Sequence, residues 1–463
     1  MRNFFKKIVV LILCFVLFLM QNSILAEAAF YLNEEDEDSV LISAETITKD
    51  ETIVYWLNSS MKPYTLIANK VNELWVGEQH RFTVAANQRK EVSIMWSSSN
   101  MEVASIDKIT GELVAHTPGT TRITMRDKRN HTKSSYILTV VPEPILPRIP
   151  EKWYTWEDTE IWNGDYSGVE LIFNMDYATL FEKCSMLWFP DELDGKSIID
   201  IRTSTEQDFM SAFPNLKLLR LPEHECWYSW NSSNNKKVEV ICPQNCTRIW
   251  RIGAHIAHIP EAVEVVSDLI FNNRDQIRIP SGVKVIGDEI SFDEYYEGID
   301  RGVLEFCVDG NNTNYYSIFG VLFSYPLYDA RDMERKHIYY HDDMYGDYYV
   351  EGGKNILVAY PSKKEGSAYR IPYGVERIGE YAFSGCKLKK IVLSDSVKEI
   401  GGGAFTNCEL LTEIVIPSTV KIIEDNFYTD TIEDCTGRLM IITPKGSAAE
   451  AYAIEHGIRY RNE

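Results

Sequence analysis

Beyond its first 28 residues the chain has no apolar stretch near the ~20 residues that a membrane-spanning helix needs, so none is expected after the leader. Positive charge is also in short supply: 47 Lys and Arg stand against 68 Asp and Glu, a formal charge of −21. Nucleic acid and anionic lipid select a basic footprint, so neither is expected as the main partner. Acidity keeps an exported chain in solution and names no partner. Cysteine is sparse, nine in 463 residues, too few for a disulfide scaffold. The nine histidines are scattered, with no cysteine or serine partnered to them in a recognisable frame. Gly-x-Ser-x-Gly, Gly-x-x-x-x-Gly-Lys, His-Glu-x-x-His and the dinucleotide fingerprint are all missing. These absences point away from an enzyme and from any cofactor.

What is present begins with an export signal. Arg2, Lys6 and Lys7 precede an apolar run from Ile8 to Met20, and Ala26-Glu27-Ala28 comes next as a small-residue cleavage site, with residues 1–28 as the leader. Cys14 stands after Leu13 and not after a small residue, which argues against lipid attachment there. Cleavage removes three positive charges and one negative and moves the formal charge from −21 to −23. The end, GIRYRNE, is neither a hydrophobic tail nor a wall-sorting signal.

Two places offer donors for a metal. Cys226, Cys242 and Cys246 lie near His224, in a spacing that fits no closed zinc pattern; a local disulfide or buried thiols fit better. Asp342, Asp343 and Asp347, and the run DGNNTN at 309–314, supply oxygens without the spacing or terminal glutamate of an EF-hand. No metal site is expected.

After an acidic segment at 29–63, short alternating stretches run from NELWVGEQHRFTV (72–84) to YILTVV (136–141), with Gly, Pro, Asn and Ser between them. Period-two alternation with regular turn signals reads as an all-β sandwich. Trp96, Val103, Ile106, Leu113, Ile123 and Leu138 are its expected core. The run WSSSN, VASID, TG and PGTTRIT resembles the bacterial immunoglobulin-like group 2 domain, here over 64–142. The resemblance implies a spacer, sometimes a binder, on a bacterial surface protein. Pro142, Pro144, Pro147 and Pro150 then open a stiffened linker at 143–165, so the sandwich is expected to fold apart from the C-terminal region.

The second half repeats itself. Val375, Ile378, Ala382, Phe383, Cys386, Leu388, Ile391 and Leu393 return as Val397, Ile400, Ala404, Phe405, Cys408, Leu411, Ile414 and Ile416, and Val420, Ile423 and Phe427 begin a third copy. A period of 22 to 23 residues is the mark of a solenoid, in which each coil buries its apolar side only against its neighbours. Leu-x-x-Ile-x-Leu supplies a strand, and the in-register cysteines belong inside the bend as structural residues. IPYGVERIGEYAFSGC at 371–386 closely resembles the leucine-rich repeat of the BspA type. NTNYYSIFGVLFSY (312–325) with ILVAYPSKK (356–364) resembles that family's divergent two-strand coil, and LMIITPKGSAAEAYAIEHGIRY (439–460) resembles its last strand and capping helix, expected from about Ala448 to His456. The repeats are assigned to 259–463. Upstream, IPEAVEVV, IPSGVKVIG and AFPNLKLLRLPE keep fragments of the pattern, and 166–258 reads as degenerate coils.

The expected fold is therefore an immunoglobulin-like sandwich followed by a leucine-rich-repeat solenoid of short parallel strands, with few helices and a short C-terminal cap. The resemblances imply a secreted or surface-associated protein of Gram-positive bacteria that binds an extracellular protein or carbohydrate. The alternative is a secreted cell-wall hydrolase, targeted by its repeats, with catalytic residues within 151–258. Two candidate ligand surfaces emerge. Strand alternation sends Arg220, Arg278, Val392 and Val415 outward in one column, with Leu218, Gln276, Lys390 and Glu413 beside them. The tyrosine-rich insertion IYYHDDMYGDYYVEGG offers Tyr345, Tyr348 and Tyr349 in a loop.

Overall fold

Thr121, Ile123 and Met125 turn inward from the strand Gly119–Asp127 while Arg122 and Arg126 stay in water, the alternation that a half-buried strand requires. This computed structural model describes residues 42–45, 52–57, 66–86, 92–161, 166–190, 192–205, 212–221, 238–242, 244, 246, 248–249, 255–266, 276–286, 303–325, 337–342, 346–351, 354–424 and 438–463. Gly119–Asp127 pairs with Thr132–Val141 and Ile94–Ser98, and Glu73–Trp75 completes that sheet. Gln79–Arg81, Glu112–Ala115 and Ala104–Ile106 form a smaller sheet. The expected core residues are all buried, and Trp96 stacks on Phe82 with ring centroids 4.7 Å apart. Its Nε1 donates to Thr52 Oγ1 at 2.8 Å. Gly111, at φ +76°, lets the chain pass under this ring, for a Cβ there would lie 2.8 Å from Nε1.

The sandwich is larger than the sequence suggested. Ile42–Glu45 and Ile53–Leu57, within the segment read as an acidic lead-in, join Thr83–Ala86 and Leu66–Ala68 in a further sheet. Val54 is fully buried in the sandwich core, so apolar packing recruits a stretch whose charge had masked its strand pattern.

Within the stretch read as a linker, Tyr154–Ile161 is a strand paired antiparallel with Tyr166–Phe173, which pairs in parallel with Lys196–Thr203. These strands open a core in which Phe173, Phe181, Phe189 and Phe213 meet edge to face or stacked. The solenoid then advances in parallel. Met186–Trp188, Leu218–Arg220, Glu239–Ile241 and His255–His258 form one sheet, and Gln276–Ile279 pairs with Glu305–Val308. A two-strand coil comes next, Tyr315–Ile318 against Val321–Ser324, with Ile356–Ala359 beside it. The regular coils stack Ala368–Arg370, Lys390–Val392, Glu413–Val415, Met440–Thr443 and Arg459–Asn462 on the strand face. Arg377–Ile378, Glu399–Ile400 and Ile422–Ile423 stack on the opposite face.

Inside the coils the repeat register holds. Phe383 and Phe405 are fully buried and stacked with centroids 5.5 Å apart, and Tyr360 stacks on Phe383 at 5.2 Å. Cys386 and Cys408 are buried with sulfurs 3.4 Å apart, as free thiols. The helix Ala448–Glu455, capped by Ser447 accepting from the Glu450 N–H, closes the last coil by burying Ala449, Tyr452 and Ala453.

The two modules share buried contacts. Cys307 of the solenoid lies in the sandwich core, and Ala85 of the sandwich lies in the core of the regular coils. The units expected to be joined only by a linker are therefore packed against each other through apolar side chains.

Candidate ligand-binding face

The strand face is built by a simple rule: in Lys390–Val392 and Glu413–Val415 the central isoleucines are fully buried, so their neighbours face out. Lys390 lies opposite Glu413 and Val392 opposite Val415, as the sequence alignment of the strands expected. Lys390 and Glu413 form an ion pair, and both valines are half-buried. The columns continue in register into Met440 and Arg459, and into Ile442 and Arg461.

The other end of the face is occupied. Arg220 donates through Nη1 to Glu143 Oε1 at 3.0 Å and lies over the ring of Trp188. Arg278 Nη1 donates to Glu78 Oε1 at 2.9 Å, and its Nη2 reaches Glu261 at 2.6 Å and the carbonyl of Gln79. Trp75 lies on His258 with centroids 3.7 Å apart and packs with Leu146 and Ile241. Gln276 Nε2 donates to the Lys70 carbonyl at 2.8 Å, and its Oε1 accepts from the Asn72 N–H at 3.0 Å. The sandwich and the segment that follows it, with Glu143 and Leu146, thus cover the strand face from Arg220 to Cys307. Arg220 and Arg278, expected as ligand contacts, bind the chain's own carboxylates instead and keep only 14% and 11% of their side-chain surface. Burial alone would raise Glu78, but the bonds with His258 and Arg278 hold its carboxyl below the ordinary range.

The centre of this seam carries a group that sequence reasoning missed. His80 Nδ1 lies 3.3 Å from Asp309 Oδ2, and His80 Nε2 lies 3.9 Å from Cys307 Sγ. Thiol, imidazole and carboxylate in that order invite comparison with a nucleophile and its base. The chemistry is wrong for it: all three are buried, and burial, with Glu305 nearby, drives the Cys307 thiol well up and keeps it protonated. Asp309 instead accepts from the Arg81 and Asn311 N–H groups, both at 2.8 Å. Asn312 donates to the carbonyls of Pro280 and Val283 at 2.8 and 2.9 Å. The oxygens of DGNNTN are therefore turn and seam acceptors. His80 and Cys307 lie 227 residues apart, so no local spacing announces them.

The remaining expected residues divide. The tyrosine-rich insertion is a hairpin, His337–Asp342 against Gly346–Glu351, with Tyr340 opposite Tyr348 and Tyr339 opposite Tyr349. Tyr348 and Tyr349 therefore sit in a strand and not in a loop; Tyr345 lies outside the described residues. Cys242 and Cys246 are buried free thiols, while His224 and Cys226 lie outside the described residues. Among the described residues no group of His, Cys, Asp or Glu is arranged to hold a metal, and no helix is long and apolar enough to cross a membrane.

Residues 65–137 match the model of the bacterial Ig-like domain, group 2, and residues 361–438 match that of the BspA type leucine rich repeat region, in six copies. The chain carries both modules. Among solved structures, it is similar to a leucine-rich repeat protein from Eubacterium ventriosum at 20% identity, over 60% of this chain and 70% of that one, with a TM-score of 0.38. It is also similar to a leucine rich cell surface protein from Faecalibacterium prausnitzii, at 17% identity over 66% and 89% of the two chains and a TM-score of 0.29. A third likeness is to the pneumococcal vaccine antigen PcpA, at 12% identity over 71% and 85% and a TM-score of 0.28. No curated protein matches.

Proposed function

We propose that this BspA-type repeat protein is a non-catalytic binding protein, secreted or held at the cell surface, that recognises an extracellular protein or carbohydrate through its solenoid. The observation that carries this reading is the strand face itself. Its N-terminal half already makes a protein–protein contact with the Ig-like module, and its C-terminal half presents the same kind of rigid, in-register surface with half-exposed Lys390, Val392, Glu413 and Val415. A surface of fixed core and variable outward positions suits recognition. The leader-like residues 1–28 support export.

The test uses the mature secreted chain as bait for host extracellular proteins and on a glycan array. Saturable binding that falls in a folded Lys390→Ala/Glu413→Ala variant supports the strand face. Unchanged affinity discards it and moves the site to Tyr345, Tyr348 and Tyr349.

A further inference from the structure

The occupied half of the strand face shows what this face binds. Its outward positions run Trp188, Arg220, Ile241 and His258, with Arg278 on the next pair of strands. Trp75 and Glu78 of the Ig-like module and Leu146 and Glu143 of the segment that follows it cover them, Trp75 and Leu146 packing with Ile241 and the two carboxylates holding the two arginines. The same column in the open half runs Arg370, Val392, Val415, Ile442, Arg461. It too sets apolar side chains between two arginines, half-buried Val392 and Val415 with Ile442 already buried beside them, where the occupied half has Ile241 and His258. Charge sharpens the parallel. The outward positions of these five strands carry Arg370, Lys390, Arg459 and Arg461 against Glu413, on a chain whose formal charge is −21. Arg370 makes no ion pair among the described residues, whereas Arg278 is held by Glu78 of the sandwich and Arg220 by Glu143 of the segment that follows it. Among the described residues Arg461 pairs with Glu463, at 2.9 Å, with more than half of both side chains exposed.

We infer that the open half, from Arg370 to Arg461, is a second seat for a protein partner whose docking ridge sets an aromatic or branched apolar side chain between carboxylates, the chemistry that Trp75, Glu78 and Glu143 supply in cis. The inference rests on the binding reading above and narrows it to acidic protein surfaces. The half-buried Val392 and Val415 take the apolar side chain; Arg370 and Arg461, at the two ends of the column, take the carboxylates in charge-assisted pairs. A flexible sulfated glycan would satisfy the arginines and leave the valines unused.

The probe is a labelled, photo-crosslinkable peptide with the sequence of residues 71–81, VNELWVGEQHR, added to the full mature chain, whose first seat is filled. Expected are saturable binding, cross-links confined to 368–461, and at least a tenfold loss with Arg370→Glu or Arg461→Glu but not with Arg370→Lys. A peptide carrying Lys at both glutamates should bind at least tenfold more weakly. No saturable binding, equal binding of the reversed peptide, or cross-links on 186–308 overturns the inference. So does a sulfated oligosaccharide that displaces the peptide from the open half, or self-association of the chain that Arg370→Glu abolishes, which assigns the seat to a second copy. Should the peptide fail while a ligand found by pull-down still depends on Lys390 and Glu413, the binding function stands and only this narrowing falls.

Discussion

Replacing Glu78 should loosen the seat of the Ig-like module, and its contacts set the size of the effect. Its carboxylate holds Arg278 at 2.9 Å and His258 at 3.4 Å, and accepts from the Trp75 N–H at 2.7 Å. The side chains concerned are 11–17% exposed, so water compensates poorly for a lost partner. Hydrogen bonds to charged groups contribute about 1.5–3 kcal/mol each and do not add, which places Glu78→Ala near a loss of about 2–4 kcal/mol. Arg278 retains Glu261 and the Gln79 carbonyl when Glu78 is gone, so the direct coupling is smaller than either single effect. A cycle of Glu78→Ala, Arg278→Ala and the double variant, read by urea denaturation, should give a coupling of about 1–2 kcal/mol. A coupling below about 0.5 kcal/mol would refute the claim that this pair fastens the modules together.

Phe405→Ala should cost about 3–5 kcal/mol in the same assay, because a fully buried ring stacked on Phe383 leaves a cavity that stacked coils cannot close; less than about 1 kcal/mol would mean the coil register is wrong. Cys408→Ser should lower stability modestly, because the smaller, more polar oxygen packs less well against the buried Cys386 sulfur even though the Phe383 carbonyl, 3.1 Å from Cys408 Sγ, can accept from it. It should leave binding by the folded fraction intact; selective loss of binding would give the thiol a functional role. Glu78 and Asp309 are both depressed by their seam partners, so their contribution is complete above the unfolded carboxylate range and is lost as pH falls through their folded values. Urea midpoints should therefore drop below about pH 4, and Glu78→Gln with Asp309→Asn should flatten that slope; an unchanged slope would place the acid sensitivity elsewhere.

How much was legible in the sequence depended on the range of the pattern. The alignment of Ile391 with Ile414 and of Lys390 with Glu413 is written in a repeat of 22 to 23 residues, and the pairing comes directly from it. The sandwich core is likewise written in alternation within one stretch. The fates of Arg220 and Arg278 are not, because their partners Glu143 and Glu78 lie 77 and 200 residues away, outside the repeats. The strands Ile42–Glu45 and Ile53–Leu57 stay hidden because acidic neighbours outweigh two short segments that pair with each other and, through Ile53–Leu57, with the distant Thr83–Ala86. The tyrosine insertion resembles a loop because its tyrosines come in adjacent pairs among acidic residues without strand-like alternation, and only the antiparallel pairing reveals the hairpin.

The position of the Ig-like module at one end of the strand face makes the solenoid a ruler with a fixed origin. Coils added or removed between Val397 and Val420 shift everything C-terminal by whole strand spacings of about 4.8 Å, while the seam around His80, Arg278 and Asp309 stays as it is. Chains that vary in repeat number would then share one joint and differ only in reach, and the length of the exposed face becomes a quantity that duplication or deletion of a single coil can set without refolding the rest.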